Sequence, residues 1–135
     1  MEETKRKILL VEDDKDFSEV LRMRLEKLNF EVVQLYDGTE IIKMVKEVGP
    51  DVIILDIFMP EMDGFTALKS LKAEKVPCAS SKLISDIPVI VMTGKAPMME
   101  ETVRFEGACE FLTKPLDIDA LVRRIAQVLK EESSG

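Results

Sequence analysis

The run Pro50-Asp51-Val52-Ile53-Ile54-Leu55-Asp56-Ile57-Phe58-Met59-Pro60 leaves this chain few folds to choose from. Val52 to Leu55 is short, rich in β-branched residues and unbroken in its apolarity. That is the pattern of a strand buried on both faces, and such strands belong to the middle of parallel sheets. Asp56 then stands at the strand's carboxyl end. A carboxylate emerging from a low-dielectric wall requires a cation, hydrogen-bond donors or water. In open α/β sheets, ligands bind in the crevice outside the carboxyl ends of the strands. An aspartate that caps a helix or closes a turn is the alternative reading, so the ends of the other strands decide between them.

Taken in order, the chain alternates apolar runs with helical stripes. Lys7 to Val11 is a first buried strand that stops at Glu12-Asp13-Asp14, and Phe17, Val20, Leu21, Leu25 and Leu28 follow at helical spacing. Asn29-Phe30 turns into a second, more polar strand over 31–36, suited to a place nearer the sheet's edge. Asp37-Gly38-Thr39-Glu40 has the form of a helix N-terminal box, and Ile41, Ile42, Val45 and Val48 make the next stripe, closed by Gly49-Pro50. After Asp56 a turn through Met59-Pro60 and Asp63-Gly64 leads to a helix with Phe65, Leu68 and Leu71 on one face. The segment 75–86 is long for a helix-to-strand connection, where about two to six residues are usual. It belongs to the edge of the sheet opposite Asp56, as an adaptor surface or a mobile loop. A fourth strand over 87–92 ends on Thr93-Gly94, a short helix runs from about 97 to 105, and a fifth strand over 107–113 ends on Lys114-Pro115. Asp117 caps a last helix with Leu121, Val122, Ile125, Val128 and Leu129 on its inner face.

Strands alternating with helices through right-handed crossovers give an α/β fold: one five-stranded parallel sheet with helices on both faces. Four strand ends then deliver polar residues to one edge, namely Glu12, Asp13 and Asp14, then Asp56, Thr93 and Lys114. Several carboxylates in one crevice repel one another, and a hard divalent cation holds them ionised together. Magnesium suits such a site because it keeps several waters and shares one or two carboxylates with a phosphate. A threonine hydroxyl and a lysine ammonium beside it supply a hydrogen bond and positive charge for phosphoryl oxygens. Asp56 can then serve as a nucleophile, since carboxylates form acyl phosphates.

Composition narrows the chemistry further. With 135 residues, 46% of them hydrophobic, the chain fits a single domain with one core, about residues 6–131. A net charge of -7 argues against direct nucleic-acid binding, which needs a basic face. No long apolar segment or signal-like start points to a membrane or to export, so a cytoplasmic location is expected. Histidine is absent, which removes it as base, metal ligand or phosphoryl carrier. Cys78 and Cys109 lack the spacing of a metal site or redox pair and are expected to be reduced.

Val11-Glu12-Asp13-Asp14, Leu55-Asp56-Ile57-Phe58-Met59-Pro60, Asp63-Gly64, Met92-Thr93-Gly94, Gly107-Ala108 and Phe111-Leu112-Thr113-Lys114-Pro115 together resemble the receiver domain of two-component response regulators, in order and approximate spacing. The resemblance covers nearly the whole chain and implies a flavodoxin-like strand order 2-1-3-4-5. It also implies that Asp56 accepts a phosphoryl group from a phosphohistidine on a sensor histidine kinase or histidine phosphotransfer protein. Asp13 would bind Mg2+ (or Mn2+) directly, Glu12 through water, with Asp56 and the Phe58 backbone carbonyl completing the protein ligands. Thr93 and Lys114 would hold phosphoryl oxygens, Gly94 would leave the group room, and Thr93 and Phe111 would form the switch. Lys114-Pro115 resembles a bond that is cis in this family. The output would be a changed surface of the fourth helix, fifth strand and fifth helix, read by a downstream protein. The departures are the 75–86 connection and Leu116, where an aromatic is common.

Three other readings compete. A haloacid dehalogenase-type hydrolase also uses an aspartate nucleophile, but it expects a second aspartate where Phe58 stands. A receiver-like module that binds proteins without being phosphorylated would not need every site position filled. A flavodoxin-like cofactor protein would need a phosphate-cradling loop where Glu12-Asp13-Asp14 repels phosphate. The expectation is a phosphoacceptor signalling domain rather than an enzyme, a monomer or a phosphorylation-dependent dimer, with no output domain after Leu129.

Overall fold

A computed structural model of the chain describes residues 5–57, 64–94, 100–114 and 117–134. Strands and helices alternate: β1 (Lys7–Val11), α1 (Lys15–Lys27), β2 (Glu31–Leu35), α2 (Ile41–Val48), β3 (Val52–Asp56), α3 (Gly64–Ala73), β4 (Val89–Thr93), α4 (Glu100–Phe105), β5 (Glu110–Thr113) and α5 (Ile118–Ser134). The strands form one sheet in the order β2-β1-β3-β4-β5, and every pairing is parallel. The expected α/β architecture is therefore the observed one. It is the flavodoxin-like order, with β1 and β3 adjacent where the order reverses.

The period-two pleat explains why β1, β3 and β4 are apolar at nearly every position. Leu9, Val11, Ile53, Leu55, Val89 and Val91 face a core with Ile41 and Val45 of α2, Leu68 and Leu71 of α3, and Val103 of α4. The alternate residues Ile8, Leu10, Val52, Ile54, Ile90 and Met92 face Leu21 and Leu25 of α1 and Leu121, Ile125 and Val128 of α5. Each fully buried aliphatic side chain contributes about 1.5–3 kcal/mol, so these strands are fixed in register by both faces. β2 lies at the edge, half-buried over most of its length, as its polar content requires.

Several boundaries differ from the sequence reading, each for a local reason. β5 starts at Glu110 rather than at 107, because Gly107 turns the chain at φ 110° and its N–H closes α4 on the Arg104 carbonyl. Asp37 does not cap α2. Its carboxylate accepts from the Thr39 backbone N–H at 2.9 Å and from the Thr39 hydroxyl, forming a local turn that precedes the helix. Asp117 does cap α5, accepting from the Asp119 N–H at 3.0 Å.

The 75–86 connection is a folded piece rather than a loose loop. Pro77 and Leu83 form an antiparallel bridge, and the Cys78, Ile84 and Ser85 N–H groups donate to the carbonyls of Lys82, Val76 and Glu74. A 3-10 turn, Ile84–Asp86, closes it, with Ile84 and Cys78 buried in the core beside α2 and α3. The Ala79 N–H donates to the Lys46 carbonyl at the end of α2. That contact places the segment at the amino end of the sheet, as expected. Cys78 and Cys109 are not joined in a disulfide.

Candidate functional site

Strand ends assemble the site. Val11 lies beside Leu55, and Asp56 beside Met92, so the residues leaving β1, β3 and β4 emerge side by side. The Lys114 N–H donates to the Thr93 carbonyl at 2.7 Å, which ties the end of β5 to the end of β4. Asp56 is 3% exposed, and Glu12 and Thr93 are fully buried. Glycine is needed where the chain returns after β3. The Gly64 N–H donates to the Ile57 carbonyl at 2.9 Å, and a Cβ at Gly64 would lie 2.6 Å from the Asp56 carbonyl oxygen. Any side chain there would push on the strand end that carries Asp56.

The acidic triplet divides its labour. Asp14 is the N-cap of α1, its carboxylate accepting from the Phe17 N–H at 3.1 Å. Glu12 turns inward, where one oxygen accepts from the Asp14 N–H at 3.0 Å and the other from the Lys114 ammonium at 2.5 Å. Lys114 also reaches Asp56, at 3.2 Å, and lies 4.9 Å from the centre of the Phe17 ring. Asp13 remains half-exposed. Oxygens of Glu12, Asp13 and Asp56 all lie within 4.8 Å of one another.

Burial dominates the electrostatics of this pocket. Loss of solvent pushes the Glu12 carboxyl up to about 7, the Asp56 charge adds to that, and the hydrogen bonds from Lys114 and Asp14 offset part of it. Burial also works against the Lys114 charge, but the Glu12 hydrogen bond and the Asp56 charge outweigh it and hold the ammonium above its ordinary value. A carboxyl with its pKa raised this far is short of positive charge. The donor set is all oxygen and anionic, which fits a hard divalent cation. Glu12, Asp13 and Asp56 are the residues that would hold it.

The structure thus brings together Glu12, Asp13, Asp56 and Lys114, with Thr93 buried at the neighbouring strand end. Phe58 and the Lys114-Pro115 bond lie outside the described residues, as does Leu116. Phe111 is buried, 8% exposed, on the α2–α3–α4 side of the sheet. Two features were not legible in the sequence. Lys114 contacts Glu12 more closely than Asp56, and Phe17, which reads as part of a core stripe, lies under the Lys114 ammonium.

Comparison with known proteins places this geometry. A family model described as "Response regulator receiver domain" matches residues 8–126. The chain is 30% identical over 125 residues to the DNA-binding dual master transcriptional regulator RpaA of Synechocystis, covering 92% of this chain and 49% of that protein. It is 32% identical over 134 residues to the probable transcriptional regulator ycf27 of Guillardia theta, covering 98% of this chain and 49% of that one. The chain therefore spans about half the length of these relatives. Among solved structures, the receiver domain of Francisella response regulator 1452 superposes with a TM-score of 0.83 at 26% identity, over 95% of this chain and 99% of that one. The receiver domain of a signal transduction histidine kinase from Syntrophus aciditrophicus gives 0.78 at 29% identity, over 93% and 91% of the two chains. An acidic pocket at the carboxyl edge of a 2-1-3-4-5 sheet is the phosphoacceptor architecture of that family, and this chain belongs to the response regulator receiver domains.

Proposed function

We propose that the chain receives a phosphoryl group on Asp56 from a phosphohistidine on a sensor histidine kinase or histidine phosphotransfer protein. The observation that carries this is the Lys114 ammonium set between two buried carboxylates, Glu12 and Asp56, with Asp13 at the rim. An Asp56 carboxylate oxygen attacks phosphorus, a P–O bond forms as the P–N bond breaks, and the departing imidazole nitrogen takes a proton. Mg2+, or Mn2+ in its place, held by Glu12, Asp13, Asp56 and the Phe58 carbonyl, would neutralise charge on the phosphoryl oxygens. Lys114 supplies a second positive charge to those oxygens, and the Thr93 hydroxyl a hydrogen bond. The gathering of negative charge explains why a cation is needed, since incoming phosphate meets three carboxylates first.

Thr93 and Phe111 form the proposed switch. They stand on adjacent strands: the Cα partner of Phe111 is Val91, and that of Thr93 is Thr113. Movement of Thr93 toward a new anion would open space on the side of the sheet where the Phe111 ring is buried. The readout surface is α4, β5 and α5. Glu110 of β5 joins these elements through Arg104 of α4 at 3.5 Å and Arg124 of α5 at 2.9 Å, and Phe105 stands 89% exposed beside them. That face suits a downstream protein, or a second copy after phosphorylation. No helix of the described residues is long and apolar enough to cross a membrane.

Incubation with acetyl phosphate and magnesium, followed by intact mass, tests the reading. Wild type should gain one phosphoryl group that hydroxylamine and alkali remove, and Asp56→Asn, which keeps the shape but loses the nucleophile, should gain none. An adduct that persists on Asp56→Asn, or a wild type inert to both acetyl phosphate and phosphorylated kinases, removes the assignment and favours an unphosphorylated binding module.

A further inference from the structure

We propose that Phe17 is a positioning residue for this pocket, its ring face holding the Lys114 ammonium within reach of Asp56. The inference rests on the phosphoacceptor reading above. In the metal-free pocket Lys114 is drawn chiefly to Glu12, at 2.5 Å against 3.2 Å for Asp56. A divalent cation held by the same carboxylates would compete with the ammonium for Glu12 and Asp56. Lysine has a long flexible stem, so an ammonium that loses its carboxylate partner has many rotamers open to it. The Phe17 ring, with its centre 4.9 Å from Lys114 Nζ, offers an attraction that does not depend on either carboxylate.

The ring is itself held in place. Its backbone N–H is bound by the Asp14 carboxylate in the first turn of α1, and the Asp14 N–H is bound by Glu12. One side of the residue packs against the core between the sheet, α1 and α5. Glu12, Asp14, Phe17 and Lys114 therefore form a closed circuit of contacts around the mouth of the pocket. An aliphatic residue would satisfy the core side of position 17. An aromatic face is what the Lys114 side of the circuit uses.

Phe17→Leu and Phe17→Tyr separate positioning from packing. In the full chain, NMR of the Lys114 ε-methylene should show an upfield ring-current shift that Phe17→Leu abolishes and Phe17→Tyr retains. With acetyl phosphate, Phe17→Leu should be phosphorylated about three- to ten-fold more slowly, at an unchanged half-saturating magnesium concentration, and Phe17→Tyr should recover the rate. A wild-type rate in Phe17→Leu, or a loss that tyrosine does not restore, overturns the proposal. If wild type itself takes no phosphoryl group, the phosphoacceptor reading fails, and the Lys114 shift then decides alone whether the ring holds the ammonium.

Discussion

Glu12 carries a carboxyl group to a point with no solvent, and its pKa of about 7 follows from that burial. In the metal-free protein it therefore binds a proton that the unfolded chain, near 4.5, has already released. Because the folded value is the higher one, its contribution to stability is complete below about 4.5 and is lost as pH rises through 7. The span corresponds to a contribution on the order of a few kcal/mol. Lys114, raised above its ordinary value, stays charged over the whole interval and does not cancel the slope. In EDTA, urea midpoints of wild type should fall relative to those of Glu12→Gln as pH rises from 5 to 8 (about the interval between the two protonation states), since glutamine does not titrate. Parallel midpoint curves would show that Glu12 is ionised throughout. At this scale the sequence placed Asp56, Thr93 and Lys114 at strand ends, where the structure has them, because each closes a recognisable apolar run. The Glu12–Lys114 contact spans 102 residues and depends on which strands neighbour each other, so no local pattern carries it.

At the scale of elements, apolar runs and helical stripes located the strands and the longer helices of the described residues, and they misplaced ends where backbone geometry governs, as at Gly107. The 75–86 segment is the instructive case. Its serines, lysines and proline read as loop, and its structure rests on backbone hydrogen bonds with two inward side chains, which leave no repeating apolar signal. Lys72 of α3 reinforces it, donating to the Ile87 carbonyl at 2.8 Å and the Ser85 carbonyl at 3.2 Å. The stem of Lys72 also fills the space beside Gly107, where a Cβ would lie 2.9 Å from its Cγ. The segment is thus part of the α3–β4 wall. Ile84, 1% exposed, is its anchor, and Ile84→Ala should cost about 2–5 kcal/mol in urea unfolding. Acetyl phosphate should still label Asp56, because the segment lies at the opposite end of the sheet. A cost well under 1 kcal/mol would mean that the segment does not share the core's cooperativity.

Across the whole molecule, β4 and β5 run from the pocket to the proposed readout surface, and Phe111 of β5 is the proposed link between them. Its ring is already buried in the structure, packed into the cluster that includes Val91 and Val103. Phenylalanine has no hydroxyl with which to hold an outward position, and exposing such a ring costs about 1.5–3 kcal/mol. The unphosphorylated chain should accordingly populate the inward ring, with phosphorylation shifting a balance of small free-energy difference. Phe111 ring resonances should then show contacts to the core before any activation. Beryllofluoride should move amides of α4, β5 and α5 more than it moves the ring. Thr93→Ala should still take a phosphoryl group on Asp56, since the nucleophile, the carboxylates and Lys114 are intact, but it lacks the hydroxyl proposed to follow the new anion. Its α4–β5–α5 amides should respond to beryllofluoride far less than those of wild type. Equal chemical-shift responses in the two proteins would mean that the signal leaves the pocket by a route other than Thr93.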